Sequence, residues 1–171
     1  MDVPEDTYYT DAVAWAVEKD ITAGIGNNKF GTGFDCTREQ MVTFLWNLAG
    51  KPEAKGESFA DVASGSYYET AIAWAKNLGI TSGKTDGTFG VGDTVTREQV
   101  VTFLWNYAGQ PEPQTSASFG DVAADAYFAK AVAWAKEEGI TSGIGGGKFG
   151  VGQVCAREQI VTLMYNYFAE K

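Results

Sequence analysis

The sequence predicts an all-α protein built from three helix-loop-helix repeats, and three observations carry this. The tripeptide Arg-Glu-Gln begins at Arg38, Arg97 and Arg157, each time at the same place in a unit that recurs after 59 and then 60 residues. The units align without internal gaps at Tyr8/Tyr67/Tyr127, Trp15/Trp74/Trp134, Ile21/Ile80/Ile140, Gly24/Gly83/Gly143, Phe30/Phe89/Phe149 and Gly33/Gly92/Gly152. On both sides of a Gly-rich stretch, apolar residues recur at helical steps. Periods of this length mark units that cannot bury their apolar faces alone, so the 171 residues read as one domain. It divides into repeat 1 (1–50), repeat 2 (59–109) and repeat 3 (119–171), with short linkers at 51–58 and 110–118.

Helix one of each unit falls in a segment such as Asp61 to Gly79, where Ala71, Ile72, Ala75 and Leu78 share one helical face. Gly79 and Gly139 suit the left-handed residue that stops a helix; unit one has Asp20, a less comfortable occupant. The loop that follows, Gly83 to Gly92 in unit two, carries Phe89 as its one large apolar anchor. It lacks GxxxxGK[ST] and follows a helix rather than a strand, which excludes a nucleotide cradle. Thr37-Arg38-Glu39-Gln40 and Thr96-Arg97-Glu98-Gln99 then read as capping boxes that open helix two, ahead of the stripes Met41/Val42/Phe44/Leu45/Leu48 and Val100/Val101/Phe103/Leu104. Ala156 replaces the threonine in unit three, an expected loss of about 1 kcal/mol of capping.

The arginine does not suit its place, because a cation at the first helical position opposes the macrodipole. Two roles are open for it. It forms an ion pair with Asp2, Asp61 or Asp121, or guanidinium and helix end together grip a carboxylate or phosphate. Threefold recurrence favours the ligand. Trp15, Trp74 and Trp134 should flank the buried face of helix one, either as packing between units or as a platform for a sugar ring. Trp46, Trp105 and Tyr165 belong to the apolar density of helix two.

A net charge of −9 opposes non-specific binding to nucleic acid or anionic lipid, and the absence of histidine removes the commonest general base and metal ligand. No apolar run is long enough to span a bilayer, and the N-terminus has no basic stretch followed by a hydrophobic one. Asp2-Val3 aligns with Asp61-Val62 and Asp121-Val122, but Phe59 and Phe119 have no counterpart before Met1, so the chain reads as cut from a larger protein. Cys36 and Cys155 share one unit position, with Val95 as the third equivalent. Reduced, buried thiols are expected there; a disulfide stapling unit one to unit three is the other outcome.

The order Phe-x-Asp-Val, an Ala-Val-x-aromatic helix, Gly-Ile-Thr-x-Gly, a Gly-rich loop with Phe, and Thr-Arg-Glu-Gln before an apolar helix resembles the S-layer homology domain in three tandem motifs. Its signature, usually written Ile-Thr-Arg-Ala-Glu, stands here as Cys36–Gln40, Val95–Gln99 and Cys155–Gln159. The resemblance implies a pseudo-threefold spindle with a central helical bundle. It also implies binding of a secondary cell-wall polymer, often one ending in pyruvylated N-acetylmannosamine, with the signature Arg on the acidic ketal in grooves between motifs. The chain departs from the pattern in having Thr32, Val91 and Val151 at a common Pro position, Glu after the signature Arg, and Gln in place of the final Glu.

The expected function is therefore a non-catalytic anchor of an exported protein to the bacterial cell envelope, extracellular, with its export signal upstream. The expected ligand-binding residues are Arg38, Arg97, Arg157, Trp15, Trp74, Trp134, Gly24, Gly83 and Gly143, with no catalytic residue, cofactor or metal. The expected partner is a cell-wall glycan, without nucleic acid or membrane insertion, and the isolated domain is expected to be monomeric. A structural or protein-binding module and a binder of modified peptidoglycan are the alternatives. A glycoside hydrolase is disfavoured, because Glu39, Glu98 and Glu158 adjoin Arg at helix starts, which opposes the raised pKa of a general acid.

Overall fold

The computed structural model describes residues 2–56, 58–116 and 119–169; of the expected repeat and linker boundaries, positions 1, 57, 117–118 and 170–171 lie outside the described residues. Six helices follow in chain order: α1 (Thr10–Glu18), α2 (Arg38–Leu48), α3 (Glu69–Asn77), α4 (Arg97–Tyr107), α5 (Ala129–Glu137) and α6 (Arg157–Phe168). Among the described residues there is no strand or sheet, only isolated bridges. The protein is mainly helical, with two helices per unit.

Helix one is shorter than the sequence pattern suggests. The stretch from Asp61 to Tyr68 is spent on turns, because Asp61 turns its carboxylate to the loop and Gly65 donates its N–H to Glu69 Oε2. Ala71, Ile72 and Ala75 are buried as expected, but Leu78 lies just beyond the last turn and is 60% exposed, a correction to its place on the buried face. Gly79, Gly139 and Asp20 all adopt positive φ at the helix end, at 70°, 69° and 53°.

No unit closes a core by itself. Helix one of each unit packs on helix two of the preceding unit: α3 on α2, α5 on α4, and α1 on α6. A closed ring of backbone hydrogen bonds joins the segments before helix two. The Cys36 N–H donates to the Cys155 carbonyl at 3.0 Å, Val95 to Cys36 at 2.9 Å, and Cys155 to Val95 at 3.0 Å. Non-local contacts of this kind hold the first unit to the last, with Phe30, Phe89 and Phe149 fully buried in one continuous core.

Cys36 and Cys155 are free and buried. Burial pushes their thiols up, to about 12 and about 11, so the nucleophilic thiolate is suppressed. The native protein should resist a thiol reagent, and unfolding without reductant should release two reactive thiols per chain. None released would establish a bridge.

Candidate functional site

Each loop is held from two directions. Within a unit, the Asp61 carboxylate accepts the N–H groups of Phe89, Gly90 and Val91 at 2.7–2.8 Å. Asp2 does the same for Phe30, Gly31 and Thr32, and Asp121 for Phe149, Gly150 and Val151. From the preceding unit, Glu39 Oε2 accepts the Gly92 N–H at 3.0 Å; Glu98 takes that of Gly152, and Glu158 that of Gly33. The recurring carboxylates are thus occupied in fixing loop backbone. Partial burial pushes the Asp121 carboxyl up, but the Phe149, Gly150 and Val151 amides outweigh this and hold it down at about 2. Asp2 and Asp61 are lowered by the same balance.

These three groups set an acid limit. Their folded pKa values lie below the unfolded value, so the stabilisation they give is complete above the ordinary Asp range and is lost as pH falls through the folded values. Denaturant melts should hold their midpoint near neutrality and lose it between about pH 4 and pH 2. Asp121→Asn should begin less stable and lose less over that interval; a wild-type loss beginning well above pH 5 would assign acid sensitivity to other groups.

The three signature arginines are 4–7% exposed, at the first position of α2, α4 and α6. The alternative role, an ion pair with Asp2, Asp61 or Asp121, is not realised, since those carboxylates serve the loops; among the described residues Lys84–Asp93 and Lys130–Glu112 form ion pairs and no signature Arg does. Each Arg instead reaches the next unit. Arg38 Nε donates to the Phe89 carbonyl at 2.8 Å, Arg97 Nε to Phe149 at 3.0 Å, and Arg157 Nε to Phe30 at 3.0 Å. Their guanidinium carbons stand 5.0–5.3 Å from the rings of the same phenylalanines. The conflict with the helix dipole is relieved mainly from the next unit, whose carbonyl accepts the N–H of each Arg, while Gln40, Gln99 and Gln159 accept the N–H of Thr37, Thr96 and Ala156. The third unit keeps that bond at 3.0 Å despite Ala156, while the Thr37 and Thr96 hydroxyls are buried without a partner. The expected capping deficit of unit three is correspondingly small.

Three grooves result, and each is lined by all three units. In the first, of 370 Å3, Arg157 faces Thr22 and Gly24 with Tyr67 at the side. In the second, of 570 Å3, Arg38 faces Thr81 and Gly83 with Tyr127. In the third, of 500 Å3, Arg97 faces Thr141 and Gly143 with Tyr8. Arg and Gly from the sequence-predicted set therefore meet, and the tryptophans do not join them. Trp74 and Trp134 are buried and Trp15 is half-buried, their rings packed 4.9–5.7 Å from Tyr107, Tyr167 and Tyr165. The aromatic wall expected of them is supplied by Tyr8, Tyr67 and Tyr127, which are 62–69% exposed. Their recurrence at one unit position was the available signal. Nothing in the sequence revealed that Thr22 and Thr141 would accept from Arg157 and Arg97 Nη2 at 3.1 and 3.2 Å, because the partners are 135 and 44 residues apart.

The family model of the S-layer homology domain matches residues 2–42, 58–101 and 118–160. A cell surface protein of Thermoanaerobacter kivui is 32% identical over an alignment 114 residues long that covers 63% of this chain and 15% of that protein's length.

Proposed function

Because this chain belongs to the S-layer homology domain family, a family of cell-surface anchoring modules, we propose that it holds a larger exported protein to the bacterial wall by binding an acidic wall glycan in its three inter-unit grooves. One observation carries the reading. In each groove a buried guanidinium, free of any carboxylate partner among the described residues, meets a loop fixed by Asp and Glu and an exposed tyrosine. A desolvated cation binds an acid group more strongly than an exposed one, and a tyrosine face suits the apolar side of a sugar ring. The closed ring of backbone bonds supports the pseudo-threefold spindle, in which three grooves bind one polymer together and gain over a single site by orders of magnitude. Isolated Arg residues on an acidic body explain how one acid group is gripped while bulk polyanions are repelled.

A pull-down on purified sacculi, before and after extraction of the non-peptidoglycan polymer, tests this. Binding that disappears on extraction supports the polymer. Binding that survives transfers the grooves to peptidoglycan, and no binding to either preparation returns the domain to a protein-binding role.

A further inference from the structure

We propose that the three grooves are chemically graded, and that the groove of Arg38 is the anion-selective one, with Lys84 as its second cation and Asp93 as an internal anion that a ligand's acid group displaces. This rests on the glycan-binding reading above. Two equivalent positions flank each Arg, and their occupants differ: Ile25 with Phe34 beside Arg157, Ile144 with Gln153 beside Arg97, and Lys84 with Asp93 beside Arg38. Only the last pair is ionic, with Lys84 Nζ at 2.7 Å from Asp93 Oδ2.

The convergence is tight at Gly90, whose φ of +89° admits the approach. A Cβ built there would lie 2.8 Å from Asp93 Oδ2, 2.9 Å from Lys84 Cδ and 3.1 Å from Arg38 Nε. Arg38 also makes the fewest side-chain hydrogen bonds of the three arginines. Arg97 and Arg157 each donate from Nη2 to a threonine as well as from Nε to a phenylalanine carbonyl, whereas the side-chain bond of Arg38 is to Phe89 alone. Lys84 is held by one carboxylate that is half exposed and replaceable, and Arg38 has none among the described residues. A ligand carboxylate entering between Arg38 and Lys84 would meet two charge-assisted donors, while Asp93 swings into water, where a carboxylate loses little. Ile25 with Phe34, and Ile144 in the third groove, offer one cation beside apolar surface, which suits the uncharged parts of a glycan.

The test is an NMR titration of the whole chain with two probes, pyruvylated N-acetylmannosamine and unmodified N-acetylmannosamine, read groove by groove on the amides of Gly24, Gly83 and Gly143. The acidic sugar should saturate the Gly83 signal first, and the neutral sugar should show no such preference. Lys84→Gln should weaken the acidic sugar at Gly83 about fivefold, and Asp93→Asn should tighten it severalfold, allowing for the screening of half-exposed charges. Both positions are on the surface, so both variants should fold, which the unchanged spectrum away from this groove verifies. If the acidic sugar binds all three grooves equally, or both variants bind within twofold of the parent, the grading is wrong while glycan binding stands. If the acidic sugar binds nowhere, the glycan reading fails and the grading with it.

Discussion

Arg97→Ala should lower binding to sacculi by roughly 10- to 100-fold at its groove, the loss expected from removing one charge-assisted bond to an acid group. The same change should destabilise the fold by about 1–3 kcal/mol. Arg97 Nε holds the Phe149 carbonyl at 3.0 Å and Nη2 the Thr141 hydroxyl at 3.2 Å, so alanine would remove the Phe149 carbonyl's side-chain donor and leave Thr141 only the Gly143 N–H. The two effects separate by comparison with Ile160→Val, a fully buried position away from the grooves, where one lost methyl costs about 0.5–1.5 kcal/mol. Arg97→Lys restores the cation but not the planar fork, so it should recover part of the binding and little of the loop restraint. Should Arg97→Ala bind sacculi as Ile160→Val does once both are folded, the guanidinium is a structural bolt and the ligand lies elsewhere.

That double duty explains what the sequence could and could not reveal. Repeat positions and helix-two stripes were legible because burial imposes a helical period on neighbours in the chain, and Met41, Val42 and Leu45 are buried accordingly. The arginines stood out because they contradict local helix electrostatics, and such a conflict persists only where something non-local relieves it. What relieves it is out of reach of local pattern, since Arg157 bonds Phe30 across 127 positions and Glu158 bonds Gly33 across 125. The tryptophans mislead for a related reason. Their place at the edge of the helix-one stripe is compatible with a groove wall or with an inter-unit seam, and only the packing of helix one on the preceding unit decides it. That packing puts Trp74 and Trp134 inside and leaves Tyr8, Tyr67 and Tyr127 at the grooves.

Gly143→Ala should be among the most damaging single changes in the chain, for a steric reason rather than a ligand-binding one. Gly143 lines the third groove, yet its backbone sits at φ +88°, and an added Cβ would run into the Lys148 carbonyl and come within 2.7 Å of Phe119 Cε1. The carbonyl is the acceptor for the Ile144 N–H and cannot yield without breaking the turn. Left-handed strain of about 1–2 kcal/mol and an overpacking cost of about 1–3 kcal/mol together give a loss of roughly 2–5 kcal/mol. For a chain of this size the midpoint of thermal unfolding should fall by roughly 5–15 °C. Gly146→Ala is the matched comparison, because φ is +59° there and nothing lies within 4 Å of the new methyl. It should show the left-handed strain alone. If the two variants melt together, Gly143 is not there for packing, and direct approach of a ligand to its backbone becomes the better account. If Gly143→Ala melts well below Gly146→Ala, the glycine that opens each groove is required by the turn that builds the groove wall.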